Sequence, residues 1–184
     1  MFIQTEETPN PATLKFLPGK IVLPEGTRDF RAPDEARASP LAERIFSVEG
    51  VAGVFLGHDF VTVTKDRVEW PHIKPAVLGA IMEHYLSGAP VLVEGSSELA
   101  DDQNFDEADA DTVATIKELI ETRVRPAVAN DGGDITFQGF REGVVFLHMR
   151  GSCAGCPSST ATLKQGIENL LRHFVPDVVE VRPV

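Results

Sequence analysis

The chain has 184 residues, an apolar fraction of 42% and a formal net charge of −11 at pH 7. That length suits two small domains, each with enough apolar residues to bury a core. The acidity disfavours phosphate backbones and anionic lipid surfaces, so neither a nucleic-acid nor a membrane partner is expected, and no apolar run approaches the roughly 20 residues that span a bilayer.

The opening Met1–Glu7 has neither the basic start and apolar core of a signal peptide nor the Arg-rich character of an organelle presequence. The expected compartment is therefore a reducing one: a bacterial cytoplasm, or the mitochondrial matrix for a processed organelle protein.

Residues 2–7 alternate weakly and read as a strand. Thr8-Pro9-Asn10-Pro11 is irregular, since each proline fixes its own φ and restricts the residue before it. Residues 13–17 read as a second strand, and 20–40, rich in Pro, Gly and charge, as mostly loop. Ser39 caps a short helix with Leu41, Ile45 and Phe46 on one face. Residues 50–56 and 60–65 form a hairpin around Gly57-His58-Asp59. Trp70 and Pro71 precede a helix over 73–86 with Val77, Leu78, Ile81, Met82 and Tyr85 at helical spacing.

Residues 88–111 are acidic and poor in apolar anchors, which predicts a solvated, self-repelling linker. The expected organisation is α+β: two small domains, 1–87 and 112–184, joined by this flexible connection. In the second domain Val113, Ile116, Ile120 and Val124 share a helical face, which Pro126 bends or ends. Residues 135–140 and 144–149 are strands about the turn Arg141-Glu142-Gly143. A helix over 158–171 turns Leu163, Ile167, Leu170, Leu171 and Phe174 inward, and 178–181 is a last strand. The order helix–strand–strand–helix–strand suits a small sheet with both helices on one face.

Between that second strand and its helix lies Gly151-Ser152-Cys153-Ala154-Gly155-Cys156-Pro157, which holds the only two cysteines in the chain. Pro157 fits a first helical turn. Cys156 then falls at the cap, where unpaired N–H groups and the helix dipole favour a thiolate. In a reducing compartment such a pair points to a metal or redox site. Two thiolates cannot complete a closed zinc site or an iron–sulfur cluster, which take four protein ligands. The five histidines make no spaced ligand set with the cysteines and read as surface or satisfied core residues. Two copies meeting about a two-fold axis would bring four thiolates together, an arrangement a [4Fe–4S] cube accepts. A thioredoxin-like dithiol oxidoreductase using Cys153 and Cys156, and a structural zinc dimer, are the alternatives. Against the former, a helix and a hairpin precede the cysteines, and proline follows the pair instead of lying within it.

Asp131-Gly132-Gly133-Asp134 followed by Gly151–Thr160 and a Leu/Ile helix resembles the C-terminal NifU-like domain of Nfu-type iron–sulfur scaffold proteins. Phe2–Pro11 with Lys15-Phe16-Leu17-Pro18-Gly19 resembles the N-terminal domain that accompanies it. The resemblance implies a non-enzymatic carrier that binds a [4Fe–4S] cluster at a homodimer interface, with Cys153 and Cys156 as its ligands. It also implies upstream cluster donors, and apo iron–sulfur proteins as recipients. Asp131-Gly132-Gly133-Asp134 reads as a turn whose aspartates bond local backbone, the alternative being a lining of the cluster or of a partner surface. Arg150 and Lys164 flank the cysteine loop, either offsetting the cluster's charge or as solvated surface. The N-terminal domain, which shows no acid–base or nucleophile set, is expected to recognise partners or regulate.

Overall fold

The computed structural model describes residues 2–93, 104–154 and 157–184. The chain divides into two compact units, Met1–Glu98 and Leu99–Val184, both of α+β construction.

In the first unit β1 (Gln4–Glu7), β2 (Thr13–Leu17), β3 (Arg28–Phe30), β4 (Val51–Leu56) and β5 (Val61–Lys65) form one antiparallel sheet in the order β1-β2-β5-β4-β3. Registers such as Leu14↔Val63, Phe16↔Val61 and Val54↔Val63 carry the apolar residues of neighbouring strands into one row. Period-two alternation then puts them on one face. They share a core with Leu41, Ala42 and Ile45 of α1 (Pro40–Phe46) and Val77, Ala80 and Ile81 of α2 (Trp70–Ser87). Ser39 caps α1 as expected: its Oγ accepts the Ala42 N–H at 3.1 Å and donates to the Val91 carbonyl.

Two expectations change in this unit. The 20–40 loop contains β3 and a 3₁₀ turn at Glu35–Ala38. Helix α2 begins at Trp70, three residues before the expected start, because Pro71 fits a first turn instead of preceding it. The Trp70 indole N–H donates to the Pro11 carbonyl at 3.2 Å, tying that start to the Pro9–Pro11 segment.

The second unit is a four-stranded sheet in the order β6-β7-β8-β9. β7 (Gly133–Arg141) and β8 (Val144–Gly151) are antiparallel, while β6 (Asn104–Phe105) and β9 (Glu180–Pro183) flank them in parallel. Ile135, Phe137, Val145, Leu147, Met149 and Val181 share one core with Val113 and Ile116 of α3 (Ala110–Leu119), Val128 of α4 (Arg125–Asn130), and Ile167 and Leu171 of α5 (Pro157–Phe174). α3 and α4 are joined by a π turn at Ile120–Val124. Pro126 cannot donate to the Thr122 carbonyl and its ring would clash there; widening the preceding turn relieves both. Phe174, expected inward, is 46% exposed and lies under the Arg123 guanidinium, 5.1 Å from the ring centroid.

The expected linker is tied down at both described ends. Val93 N–H donates to the Ala38 carbonyl, and Val91 and Leu92 pack on the first core. Asn104 and Phe105 form β6, and α3 starts at Ala110, inside the predicted 88–111 stretch. Residues 94–103 lie outside the described residues. Among the described residues no helix is long and apolar enough to cross a membrane.

Candidate functional site

The β7–β8 pairing sets Gly133 opposite Gly151 and Asp134 opposite Arg150, so the Asp131–Asp134 turn lies beside the end of β8. Gly132 has φ +80°, a conformation glycine adopts without strain, and it allows the turn out of α4. Two bonds fasten the turn to the cysteine loop. Ser152 N–H donates to the Gly132 carbonyl at 3.3 Å, and Ser152 Oγ donates to the Asp131 carbonyl. On the other side the Thr160 hydroxyl of α5 donates to the Cys153 carbonyl at 3.0 Å.

Cys153 is therefore held from both flanks and is 5% exposed. Gly133 makes room for it: a Cβ there would stand 2.4 Å from Cys153 Sγ and 2.9 Å from the Arg150 carbonyl oxygen. Burial pushes the Cys153 thiol up to about 12; the Ser152 hydroxyl pulls it down, and the Asp131 and Asp134 charges push it further up. A buried thiol of raised pKa is poorly suited to nucleophilic attack, which needs an exposed, low-pKa thiolate. Cys156, expected at the α5 cap, lies outside the described residues, as does Gly155.

The two aspartates of the turn differ. Asp131 contributes its carbonyl. Asp134 is 3% exposed, and its carboxylate accepts two parallel bonds from Arg125, Nε to Oδ1 and Nη2 to Oδ2, each 2.8 Å. Its Oδ1 also accepts the Ile135 N–H at 2.9 Å. Arg125 Nη1 reaches Glu121 Oε1 at 2.7 Å, and these partners, Asp134 foremost, hold the guanidinium more firmly protonated than usual despite its burial. The bond to local backbone was anticipated in the sequence; the clamp from Arg125 was not. Its one sequence signal is a charged residue just before Pro126 in an otherwise apolar-faced helix.

Arg150 is 7% exposed, so it is not solvated surface; Lys164 is half-buried and pairs with Glu180 at 3.5 Å. Among the described residues no three of His, Cys, Asp and Glu come together as a metal-binding group.

Comparison with known proteins bears on both units. The family described as "Scaffold protein Nfu/NifU N terminal" matches residues 3–88, and the "NifU-like domain" matches residues 116–182. "NifU-like protein 4, mitochondrial" of Arabidopsis thaliana is 52% identical over 181 residues, covering 97% of this chain and 64% of that protein. "NFU1 iron-sulfur cluster scaffold homolog, mitochondrial" of Homo sapiens is 48% identical over 186 residues, covering 100% of this chain and 72% of that protein. A solved NifU-like protein from Saccharomyces cerevisiae, 32% identical, covers 51% of this chain and 86% of that one with a TM-score of 0.46. The chain pairs an Nfu-type N-terminal domain with a NifU-like domain. It belongs to the Nfu/NifU scaffold-protein family, and spans about two thirds of the length of the curated Arabidopsis relative.

Proposed function

We propose that this protein is an iron–sulfur cluster carrier: two copies meet at the Cys153 loop, hold one [4Fe–4S] cluster between them, and pass it to apo-proteins. The cluster is cargo, and the chemistry of carriage is ligand exchange without net oxidation or reduction. Cys153 and Cys156 of each copy give up their protons on loading and recover them, or leave them with the recipient's thiols, on release. Because each chain has two cysteines and a cube takes four thiolates, neither copy holds the cargo alone. Separation of the pair removes half the ligands at once, which makes release as ready as loading.

The observation that carries this reading is the seat of Cys153: a buried thiol held between the Asp131–Gly133 turn and α5, with a glycine making way for its sulfur. The names of the relatives support the cargo, and the mitochondrial designation they share supports the matrix as the reducing compartment over a bacterial cytoplasm. The carrier performs no turnover of its own, and the first unit serves as the module that recognises donors or recipients.

Anaerobic reconstitution with iron and sulfide tests the assignment. Wild-type protein is expected to take up about four irons and four sulfides per pair of chains. Cys153→Ala and Cys156→Ala are each expected to take up none while keeping native circular dichroism. Reversible disulfide turnover in a protein that never acquires iron would replace this reading with the oxidoreductase.

A further inference from the structure

We infer that Arg125 and Asp134 are positioning residues for the Cys153 thiol, a side-chain clamp that sets the turn on which the sulfur is seated. The inference deepens the carrier reading and rests on it for the identity of the cargo, but not for the geometry. Arg125 opens α4 directly after the π turn, and its guanidinium reaches across to the first residues of β7. Both carboxylate oxygens of Asp134 are engaged in the fork, and Oδ1 also holds the Ile135 N–H. A fork of this kind fixes rotation as well as distance, which a single bond does not.

Three links run from the clamp to the sulfur. The residues just ahead of Asp134 present the Asp131 and Gly132 carbonyls to Ser152, the neighbour of Cys153. The residue adjoining Asp134 is Gly133, whose missing Cβ leaves the space that Sγ fills. The residue opposite Asp134 in the ladder is Arg150, whose carbonyl bounds the same space. A shift of Asp134 therefore moves an acceptor for Ser152 and the wall beside Sγ together. An Arg–carboxylate pair with a buried carboxylate and a partly exposed guanidinium adds little to stability compared with apolar side chains of the same volume. Its location beside the one described cysteine is accounted for by placement of that cysteine.

The test uses the full chain. Arg125→Lys keeps the charge and removes the fork; Asp134→Asn keeps the shape and weakens it; Glu121→Gln removes only the exposed partner of Arg125. Val181→Ala, in the core at β9, provides a loss of stability remote from the turn. Alkylation of Cys153 by iodoacetamide in metal-free protein, resolved from Cys156 by tandem mass spectrometry, is expected to speed up about tenfold or more in the first two variants. It should stay within about twofold of wild type for Glu121→Gln. After reconstitution, Arg125→Lys should also lose its iron to a chelator faster than wild type. Equal alkylation of Arg125→Lys and Val181→Ala, compared where their fractions unfolded are equal, would overturn the proposal, because the clamp would then be acting through stability alone. A wild-type chain that never loads iron refutes the carrier reading, and the alkylation comparison still decides the clamp.

Discussion

The two units bury polar groups in opposite ways. In the first they are scattered: Asn10 in the turn before β2, Ser39 at the α1 cap, Lys15 against Glu6, Thr62 on β5 and His84 on α2. Asn10 closes a turn, Ser39 caps a helix and Lys15 completes an ion pair. In the second unit Asp134, Arg150 and Ser152, with the Cys153 thiol, are gathered at one end of the β7–β8 hairpin. Burying polarity is costly anywhere, so a concentration of it around one cysteine marks a place where the fold supports something besides itself.

Glycine substitutions sharpen that contrast most. Gly133→Val places two methyl groups where the sulfur and the Arg150 carbonyl already leave no room. It should cost about 3 kcal/mol or more in chemical unfolding of the second unit and abolish iron uptake. Gly79→Ala on α2 meets nothing within 4 Å. It should raise the stability of the first unit by roughly 0.5–1 kcal/mol and leave loading untouched. If both substitutions changed loading alike, the division of labour between the units would be wrong.

A smaller effect is expected at Ser39, whose oxygen serves both the Ala42 N–H and the Val91 carbonyl. Ser39→Ala should destabilise the first unit by about 1–2 kcal/mol in denaturant titration, with loading unchanged.

His84 gives a pH signature confined to the first unit. It is fully buried, neither ring nitrogen bonds to a described residue, and the ring packs edge-on against Tyr85. Burial first, and the Arg44 charge second, lower its pKa below 6.5. The unfolded chain then binds a proton that the folded unit refuses. Its contribution to stability is full above pH 6.5 and falls as the pH drops from there towards the folded value. His84→Leu should flatten that part of the stability–pH curve at a cost or gain within about 1 kcal/mol at pH 8. The smallest change is expected for Arg37→Ala, which breaks an exposed pair with Asp34 and should register below about 0.5 kcal/mol.

Much of this architecture was legible in the sequence because it rests on periodicity and short-range chemistry. The Ser39 cap, the β4–β5 hairpin, the apolar face of α3 and the cysteine loop between β8 and α5 are all local patterns. What escaped was set by distant partners. β3 is three residues, two of them charged, and exists only because Arg28↔Leu56 and Phe30↔Val54 pair it to β4. β6, two residues at the end of an acidic stretch, is likewise held by pairing with β7. At the site, the cysteines announce themselves by spacing. By contrast, the fit of Gly133 to a sulfur 20 positions later depends on the β7–β8 register. The Arg125–Asp134 fork depends on how a π turn aims one side chain. The Gly133 fit leaves no mark in composition or period, and the fork leaves only the charge just before Pro126.

On the proposed function, one chain holds half a binding site. Native mass spectrometry of anaerobically reconstituted wild-type protein tests it directly. A species of two chains with the added mass of one four-iron cluster is expected, with apo single chains beside it. A single chain carrying a complete cluster with no second copy and no external thiol ligand would contradict it.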